Sequence, residues 1–439
     1  MKTVQNLIIG GGPAGLATAY ALQGDTLVLE KNGEVGGLCR SIEHDGGVFD
    51  IGGHSFHTPH PDVYELVEGI VDGGLDHQPR QAWVHSSGTL IPYPFQKNFD
   101  QLPNPDVIEE CQNGLSRTDP GTVEQADNFE DYIMGKFGEG IARHFMLPYN
   151  RKLWARDIRN ISCEWTAERV AGAKGESESF NTDGDRRKPL QADTEVAYPR
   201  DGGYQKIYEG FVDWIPEIQL NTDIQAIDPF AKTARTTDGR EYRWEQLVST
   251  MPLPLLTRTV EGTPSEIIAM SDRLQYMSLR VELLLVGRQL ETEIQRIYCA
   301  DPDIPPHKIA LNHNSSDSLR RRPRHAIMAE VSVSDEKSVD VDSIAPRTIE
   351  FLSELGILAG PEDVIWQSHV DVHYAYPVYT HERPELVAAI KDWMAQHGIY
   401  TLGRFGNWSY VNSDRCVREG LDMGEALRQT GPDVKSSAS

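Results

Sequence analysis

The chain opens on Val4-Gln5-Asn6-Leu7-Ile8-Ile9-Gly10-Gly11-Gly12-Pro13-Ala14-Gly15, an apolar run that ends in a glycine cluster. Residues 4–10 read as a short buried strand, Leu16–Gln23 as a helix and Thr26–Glu30 as a second strand. The turn between them satisfies the GxGxxG spacing of a dinucleotide-binding βαβ unit. Gly10 permits the tight turn, Gly12 lets the backbone approach a pyrophosphate, and Gly15 lets the helix pack closely on the sheet. Pro13 and Ala14 lead into a helix whose free N–H groups and positive dipole end favour phosphate. Glu30 ends the second strand about twenty residues after the first glycine, where a carboxylate reaches ribose hydroxyls, and Lys31 follows it. Spacing alone does not separate NAD from FAD.

Outward from this unit the texture changes. Residues 61–173 are largely helical in pattern, with apolar residues at helical spacing through 128–146. Residues 174–194 are polar and read as an exposed, mobile loop. Strand-like runs follow at 244–251, 279–287, 326–332 and 364–370, with helical segments near 341–358 and 384–397. The expected fold class is α/β. A discontinuous Rossmann-like domain takes 1–60, 220–265 and 395–430, and a helical insertion takes 61–173. A sheet-rich substrate domain takes 190–219 and 266–394, and 431–439 form a disordered tail.

Composition excludes several classes. Lys+Arg 42 against Asp+Glu 66 gives a net charge of −24, a field that repels nucleic acid and anionic lipid. The basic run Arg320-Arg321-Arg322-Pro323-Arg324 reads as a solvated loop. No stretch approaches the roughly 20 apolar residues of a membrane span, and the N-terminal apolar run is too short for a signal peptide, so a cytoplasmic protein is expected. Cys39, Cys111, Cys163, Cys299 and Cys416 are scattered without a CxxC pair, and the histidines show no HExxH spacing, so no metal site is expected.

Beyond the first motif, Glu34-Val35-Gly36-Gly37-Leu38-Cys39-Arg40-Ser41 and Val48-Phe49-Asp50-Ile51-Gly52-Gly53-His54 resemble the second glycine-rich signature of the glutathione-reductase-like FAD superfamily. That resemblance implies FAD, with Gly37, Leu38 and Gly53 passing close to it. Ile91-Pro92-Tyr93-Pro94-Phe95-Gln96-Lys97-Asn98 is similar to a segment of the UDP-galactopyranose mutases, eukaryotic-type branch. Phe145-Met146-Leu147-Pro148-Tyr149-Asn150, Lys152-Leu153-Trp154 and Glu168-Arg169-Val170 continue the likeness. So do Leu247–Met251, Gly403-Arg404-Phe405-Gly406-Asn407-Trp408 and Met423-Gly424-Glu425-Ala426, the last matching the start of the family's final helix.

The family interconverts pyranose and furanose forms of UDP-galactose without net redox change, reduced FAD acting through N5 as nucleophile at the anomeric carbon. By this resemblance Tyr93, Phe95 and Gln96 embrace the uracil, and Asn150 and Trp154 contact the nucleotide sugar. Arg169 binds the diphosphate, and Tyr298, Tyr376 and Tyr410 surround diphosphate and sugar. His54 offers a backbone carbonyl beside the flavin, and Gly403, Arg404 and Met423 belong to the cofactor site. Each residue alone has a plainer reading: Tyr93, Phe95 and Tyr149 as core aromatics, Arg169 as a structural ion pair with Glu168, His54 as a loop histidine.

The pattern departs in three places. Lys308 stands ten residues after Tyr298, where the family has a second diphosphate arginine; it keeps the charge but loses the bidentate fork. Arg296 replaces an aromatic, and Ser409 replaces a basic residue. A nucleotide sugar other than UDP-galactose is therefore open as substrate. NAD(P)H is compatible as external reductant, and the oligomeric state is left open. Two rivals share the fold: an FAD-dependent oxidoreductase of the amine oxidase or desaturase type, and a flavin-free binding protein of the Rab GDP-dissociation inhibitor kind.

Overall fold

The computed structural model describes residues 1–173 and 195–430; the expected loop at 174–194 and tail at 431–439 lie outside them. Strand Lys2–Ile9 pairs in parallel with Thr26–Leu29 on one side and Glu241–Ser249 on the other. Ile399–Thr401 joins Glu241–Ser249 in parallel, and Glu217–Gln219 joins Thr26–Leu29. Ile224–Asp228 and Thr233–Thr236 close the far edge as antiparallel strands. Side chains alternate as strand geometry requires: Ile8, Val28 and Val248 face one core, while Leu7, Ile9, Leu27, Leu29 and Leu247 face another. Both faces are covered, which is why these strands read as unbroken apolar runs.

On the first face lie helix Pro13–Leu22 and the final helix Ser413–Thr430. They touch backbone to backbone at Gly420 and Gly424. A Cβ on Gly420 would stand 2.5 Å from the Ala14 carbonyl oxygen, and one on Gly424 would stand 2.6 Å from Ala21 Cβ. The second face is covered by Leu253–Thr259, Ser265–Asp272 and Arg383–Gln396.

A second seven-stranded sheet runs in the order Val364–Pro377, Tyr276–Val286, His325–Val333, Lys308–Leu311, Arg296–Cys299, Ala82–Ser86, Thr89–Pro92. Its register aligns Tyr298 with Lys308 and Lys308 with Glu330 across three strands. Directly opposed residues share a face, so this one row projects a phenol, an ammonium and a carboxylate together. Helix Val341–Glu354 covers the other face through Ala345, Phe351 and Leu352.

Several expected boundaries shift. The stretch 61–94 is not a helical insertion: after helix Pro61–Ile70 come strands Leu75–Pro79, Ala82–Ser86 and Thr89–Pro92, the last two belonging to the second sheet. Helices dominate from Phe95 to Arg169, and Phe129–Ile141 kinks at Gly138 (φ 72°). Residues 195–219 sit with the dinucleotide unit rather than the second sheet, because Tyr204, Ile207, Tyr208 and Phe211 fill its core and Glu217–Gln219 extends its sheet. Strand Val364–Pro377 is twice the expected length, since its polar residues face outward in alternation. The basic run at 320–324 meets acids: Arg322 lies 3.5 Å from Asp201, and Arg324 pairs with Asp45.

Candidate active site

The glycine turn builds a cradle. Gly10 holds φ +105°, and its N–H donates to the Leu29 carbonyl at 2.8 Å. Gly12 is the N-cap of helix Pro13–Leu22, which has no side-chain cap, so the first-turn N–H groups are left for an anion. A Cβ on Gly12 would meet nothing nearer than Gly37 Cα at 3.8 Å, whereas one on Gly15 would stand 2.0 Å from the Gly10 carbonyl oxygen. Gly12 therefore borders open space, and Gly15 does not. The second glycine cluster closes on the first: Gly36 N–H donates to the Gly11 carbonyl at 2.8 Å.

Glu30 is buried, accepting from Gly11 N–H at 2.7 Å through Oε2 and from Asn32 N–H at 2.8 Å through Oε1. Lys31 is exposed beyond it, and Leu38 packs toward Phe49 and Ile51. Gly403 abuts the same helix start, where its Cβ would stand 2.8 Å from Ala14 Cβ. Met423 packs on this core from the middle of the final helix, which begins at Ser413, ten residues before the start the resemblance placed there. An uncapped helix N-terminus, open space at Gly12 and a buried acid at the second strand fit a dinucleotide diphosphate and its ribose.

The second half of the site is cationic. Lys308 Nζ lies 2.7 Å from Glu330 Oε1. Burial opposes the Lys308 charge, but Glu330, Tyr376 and Tyr298 together outweigh it and hold the ammonium above its ordinary range. Tyr298 Oη accepts from Arg80 Nη2 at 2.6 Å. Burial pushes that phenol up, yet Arg80, Lys308 and Arg296 together pull it below its ordinary value. Arg80 Nη1 is buried without a hydrogen-bond partner among the described residues. His54 stacks on Tyr204 with centroids 4.9 Å apart. Burial, with Lys308, Arg404 and Arg296 adding like charge, pushes its imidazole down to about 3.

The aromatic wall joins this cluster. Tyr93 lies 4.9 Å from Tyr298 and under Arg80 at 5.0 Å. Tyr376 meets Tyr410 edge-on at 5.0 Å, with Arg404 at 5.2 Å over Tyr376. Arg404 donates to the Val411 carbonyl at 2.7 and 2.9 Å. Arg169 stacks on Tyr410 at 4.4 Å and donates to Asn412 Oδ1 and the Tyr410 carbonyl, both at 2.7 Å. Trp154 meets Tyr410 edge-on at 5.6 Å. Thus His54, Arg169, Tyr298, Lys308, Tyr376 and Tyr410 converge from strands, loops and helices far apart in sequence.

Three expected nucleotide contacts are held inside the helical unit instead. Phe95 is fully buried and stacks on Phe145 at 5.0 Å. Gln96 donates to the Ala171 carbonyl at 2.9 Å, and Asn150 to the Met146 carbonyl at 2.7 Å. Two charged residues of the cluster escaped the sequence reading, Arg80 and Glu330. Glu330 had a signal, a lone carboxylate inside the apolar run 326–332; Arg80 lies in a polar stretch with none. Among the described residues no group of three His, Cys, Asp or Glu could hold a metal, and no helix is long and apolar enough to cross a membrane.

Residues 8–70 match the family model of the NAD(P)-binding Rossmann-like domain. Over 99% of the chain and 98% of the other, the fold superposes on a reduced UDP-galactopyranose mutase with a TM-score of 0.86 and 27% identity. The chain has the fold of a UDP-galactopyranose mutase-like flavoprotein. Related folds include a candidate protoporphyrinogen oxidase from Exiguobacterium (TM-score 0.74, 17% identity, 98% and 99% coverage). A putrescine oxidase superposes with a TM-score of 0.69 at 14% identity, over 98% of this chain and 100% of that one. A stretch of 52 residues is 52% identical to an uncharacterized protein in the nifH2 3' region of Methanothermococcus thermolithotrophicus. It covers 11% of this chain and spans half of that protein's length. The mutase-like fold and the Rossmann-like domain imply FAD, and the cradle around Gly12 suits it.

Proposed function

We propose that the protein is a flavin-dependent isomerase that interconverts pyranose and furanose forms of a nucleotide sugar, UDP-galactose or a closely related one. The observation that carries this reading is the half-buried cluster of Arg80, Lys308, Arg404 and Arg169 with Tyr298, Tyr376 and Tyr410 around the buried Arg296, set in a mutase-like fold. Cations and phenols in that density suit a diphosphate and a polyhydroxylated sugar. They do not suit the apolar or amine substrates of the oxidoreductase reading.

When bound, reduced FAD supplies the nucleophile for the anomeric carbon. The chain's own residues do the rest. Arg80 carries an unpartnered Nη1 toward the incoming anion. Tyr298 accepts from Arg80 through its oxygen, which leaves its own O–H to donate to a diphosphate oxygen. Arg169 and Lys308 lower the energy of the departing diphosphate, and Tyr376 and Tyr410 position the sugar. Tyr93 offers an aromatic face to the uracil, with Phe95, Gln96, Asn150 and Trp154 fixing the helical unit packed beside it. NAD(P)H is compatible as the external reductant that primes the flavin, and the isomerisation itself consumes no electrons overall.

The test is anaerobic incubation of the FAD-loaded protein with UDP-galactofuranose, with and without dithionite, followed by chromatography for UDP-galactopyranose. Conversion in the reduced sample alone is expected. Failure with a panel of nucleotide sugars in flavin-replete, reduced protein would overturn the mutase reading, and flavin bleaching by an amine without added reductant would replace it.

A further inference from the structure

Arg296 occupies a buried position on strand Arg296–Cys299, and its guanidinium reaches the turn at 52–54. Arg296 Nη2 donates to the His54 carbonyl at 2.5 Å, and Nη1 donates to the Gln295 carbonyl at 2.8 Å. From the opposite side Glu330 Oε1 accepts from Gly53 N–H at 2.7 Å while binding Lys308. The turn has no room to relax. A Cβ on Gly53 would stand 2.7 Å from Arg296 Nε and 2.9 Å from Ala310 Cβ, and Gly52 holds φ +91° with Glu330 Oε1 3.1 Å from its Cβ position. Arg296 on one side and the Glu330–Lys308 pair on the other therefore bracket the turn, at the His54 carbonyl and at the Gly53 N–H.

The bracket also sets the local charge. Arg296, Lys308 and Arg404 all act on His54. Of the acids nearby, Glu330 is matched to Lys308, while burial pushes the Asp50 carboxyl up toward its neutral form despite bonds from Ser41, Tyr198 and Tyr204. The surroundings of the turn are left net positive in a medium of low dielectric, where charges act strongly.

We propose that Arg296 is a positioning residue that locks the Gly52–His54 turn and, by its charge, biases a flavin bound beside that turn toward its reduced, anionic form. This rests on the FAD reading above. The His54 carbonyl is already committed to a permanently charged donor, so the turn holds one conformation and the guanidinium supplies the electrostatic bias. Glu330 works with the opposite sign, as the anion that moderates it.

The test uses FAD-loaded wild-type protein and the variants Arg296→Met, Arg296→Lys and Glu330→Gln, with midpoint potentials read against a reference dye during slow enzymatic reduction. Arg296→Met is expected to shift the midpoint negative and Glu330→Gln to shift it positive, while Arg296→Lys stays near wild type. Opposite signs from the two neutralisations are a result that a purely structural role does not produce. If Arg296→Met fails to fold, Arg296→Gln and Glu330→Gln carry the same sign test. Unchanged potentials in fully flavinylated variants overturn the inference, whereas wild-type protein that takes up no FAD overturns the cofactor reading beneath it.

Discussion

Gly12→Val separates the fold from the cofactor at one atom. Gly12 has an extended backbone (φ −84°, ψ −179°), so a side chain brings no strain there, and the nearest atom to its Cβ position is 3.8 Å away. Replacing a glycine N-cap by an apolar residue costs about 1 kcal/mol at most, part of which is offset by the lower entropy of the unfolded chain. The apo protein should thus unfold in urea within about 1 kcal/mol of wild type. The cofactor meets a different situation, because the new methyls fill the space where the pyrophosphate approaches the helix N–H groups. A hydrogen bond to a charged group contributes about 1.5–3 kcal/mol. Losing one weakens FAD binding roughly tenfold to a hundredfold, and losing two weakens it far more. Titrating deflavinated protein with FAD by fluorescence quenching gives both affinity and stoichiometry. Wild-type affinity in the valine variant would refute the placement of the pyrophosphate at Gly12. A collapsed apo protein would show that this glycine serves the fold, as Gly15 must with its Cβ position 2.0 Å from a carbonyl oxygen.

Arg169→Ala removes a stacked guanidinium and two donors to the 410–412 segment. It should weaken nucleotide-sugar binding about tenfold or more while FAD content stays normal, and loss of FAD would assign Arg169 a structural role. Lys152 carries a pH signature: burial pushes its ammonium down to about 8, although Nζ still donates to the Cys299 and Asp301 carbonyls at 3.1 and 2.8 Å. The folded state then binds fewer protons than the unfolded chain between that value and the ordinary lysine range. The penalty of the buried charge is full below pH 8 and fades as pH rises. Relative to Lys152→Met, wild-type stability in urea should rise by about 2 kcal/mol between roughly pH 8 and 9.5; a flat difference would return Lys152 to an ordinary ammonium.

The dinucleotide unit was legible because its signals are local. Val4–Gly15 carries strand, turn and helix start within a dozen residues, and Glu30 follows at fixed spacing. The second sheet was legible only in part. Strands Tyr276–Val286 and His325–Val333 are long and apolar, but Arg296–Cys299 and Lys308–Leu311 are four residues each and open on a cation. Nothing in a single sequence tells a buried Arg296 from a loop arginine; its place comes from pairing with Ala82 on one side and Ala310 on the other. For the same reason the expectation that 190–219 join the sheet-rich substrate domain fails over 195–219: Glu217–Gln219 is a three-residue edge strand whose partner lies near the N-terminus. Among site residues, those inside glycine-rich or aromatic blocks were found, and those defined by a cross-strand neighbour, Arg80 and Glu330, were not.

Two of the three departures, at 308 and 296, are linked through Glu330, which pairs with Lys308 and acts on Arg296. An arginine at position 308 could face Glu330 and still present further donors, because its fork carries five N–H groups. Lysine is a compact charge, and here its Nζ is 2.7 Å from the carboxylate that also holds Gly53. Lys308 therefore enters the site partly neutralised, and the burden of anion binding moves to guanidinium groups with donors to give. Arg80 is the one whose Nη1 is buried and unpartnered among the described residues, and it is coupled to Tyr298 on the same row as Lys308. Arg296, two residues from Tyr298 on that strand, is held by two carbonyls and contributes its charge without its donors. Ser409, in place of a basic residue, bonds the Tyr379 hydroxyl at 2.9 Å, and that oxygen receives the Tyr410 N–H at 2.8 Å, so the terminal segment is fastened by neutral groups. Free donors for an anion thus come from Arg80 rather than Lys308, while Arg296 adds charge. A diphosphate bound here is expected to sit closer to Tyr93 and Tyr298 than a pocket centred on an arginine at 308 would place it, which is where a change in sugar preference would arise.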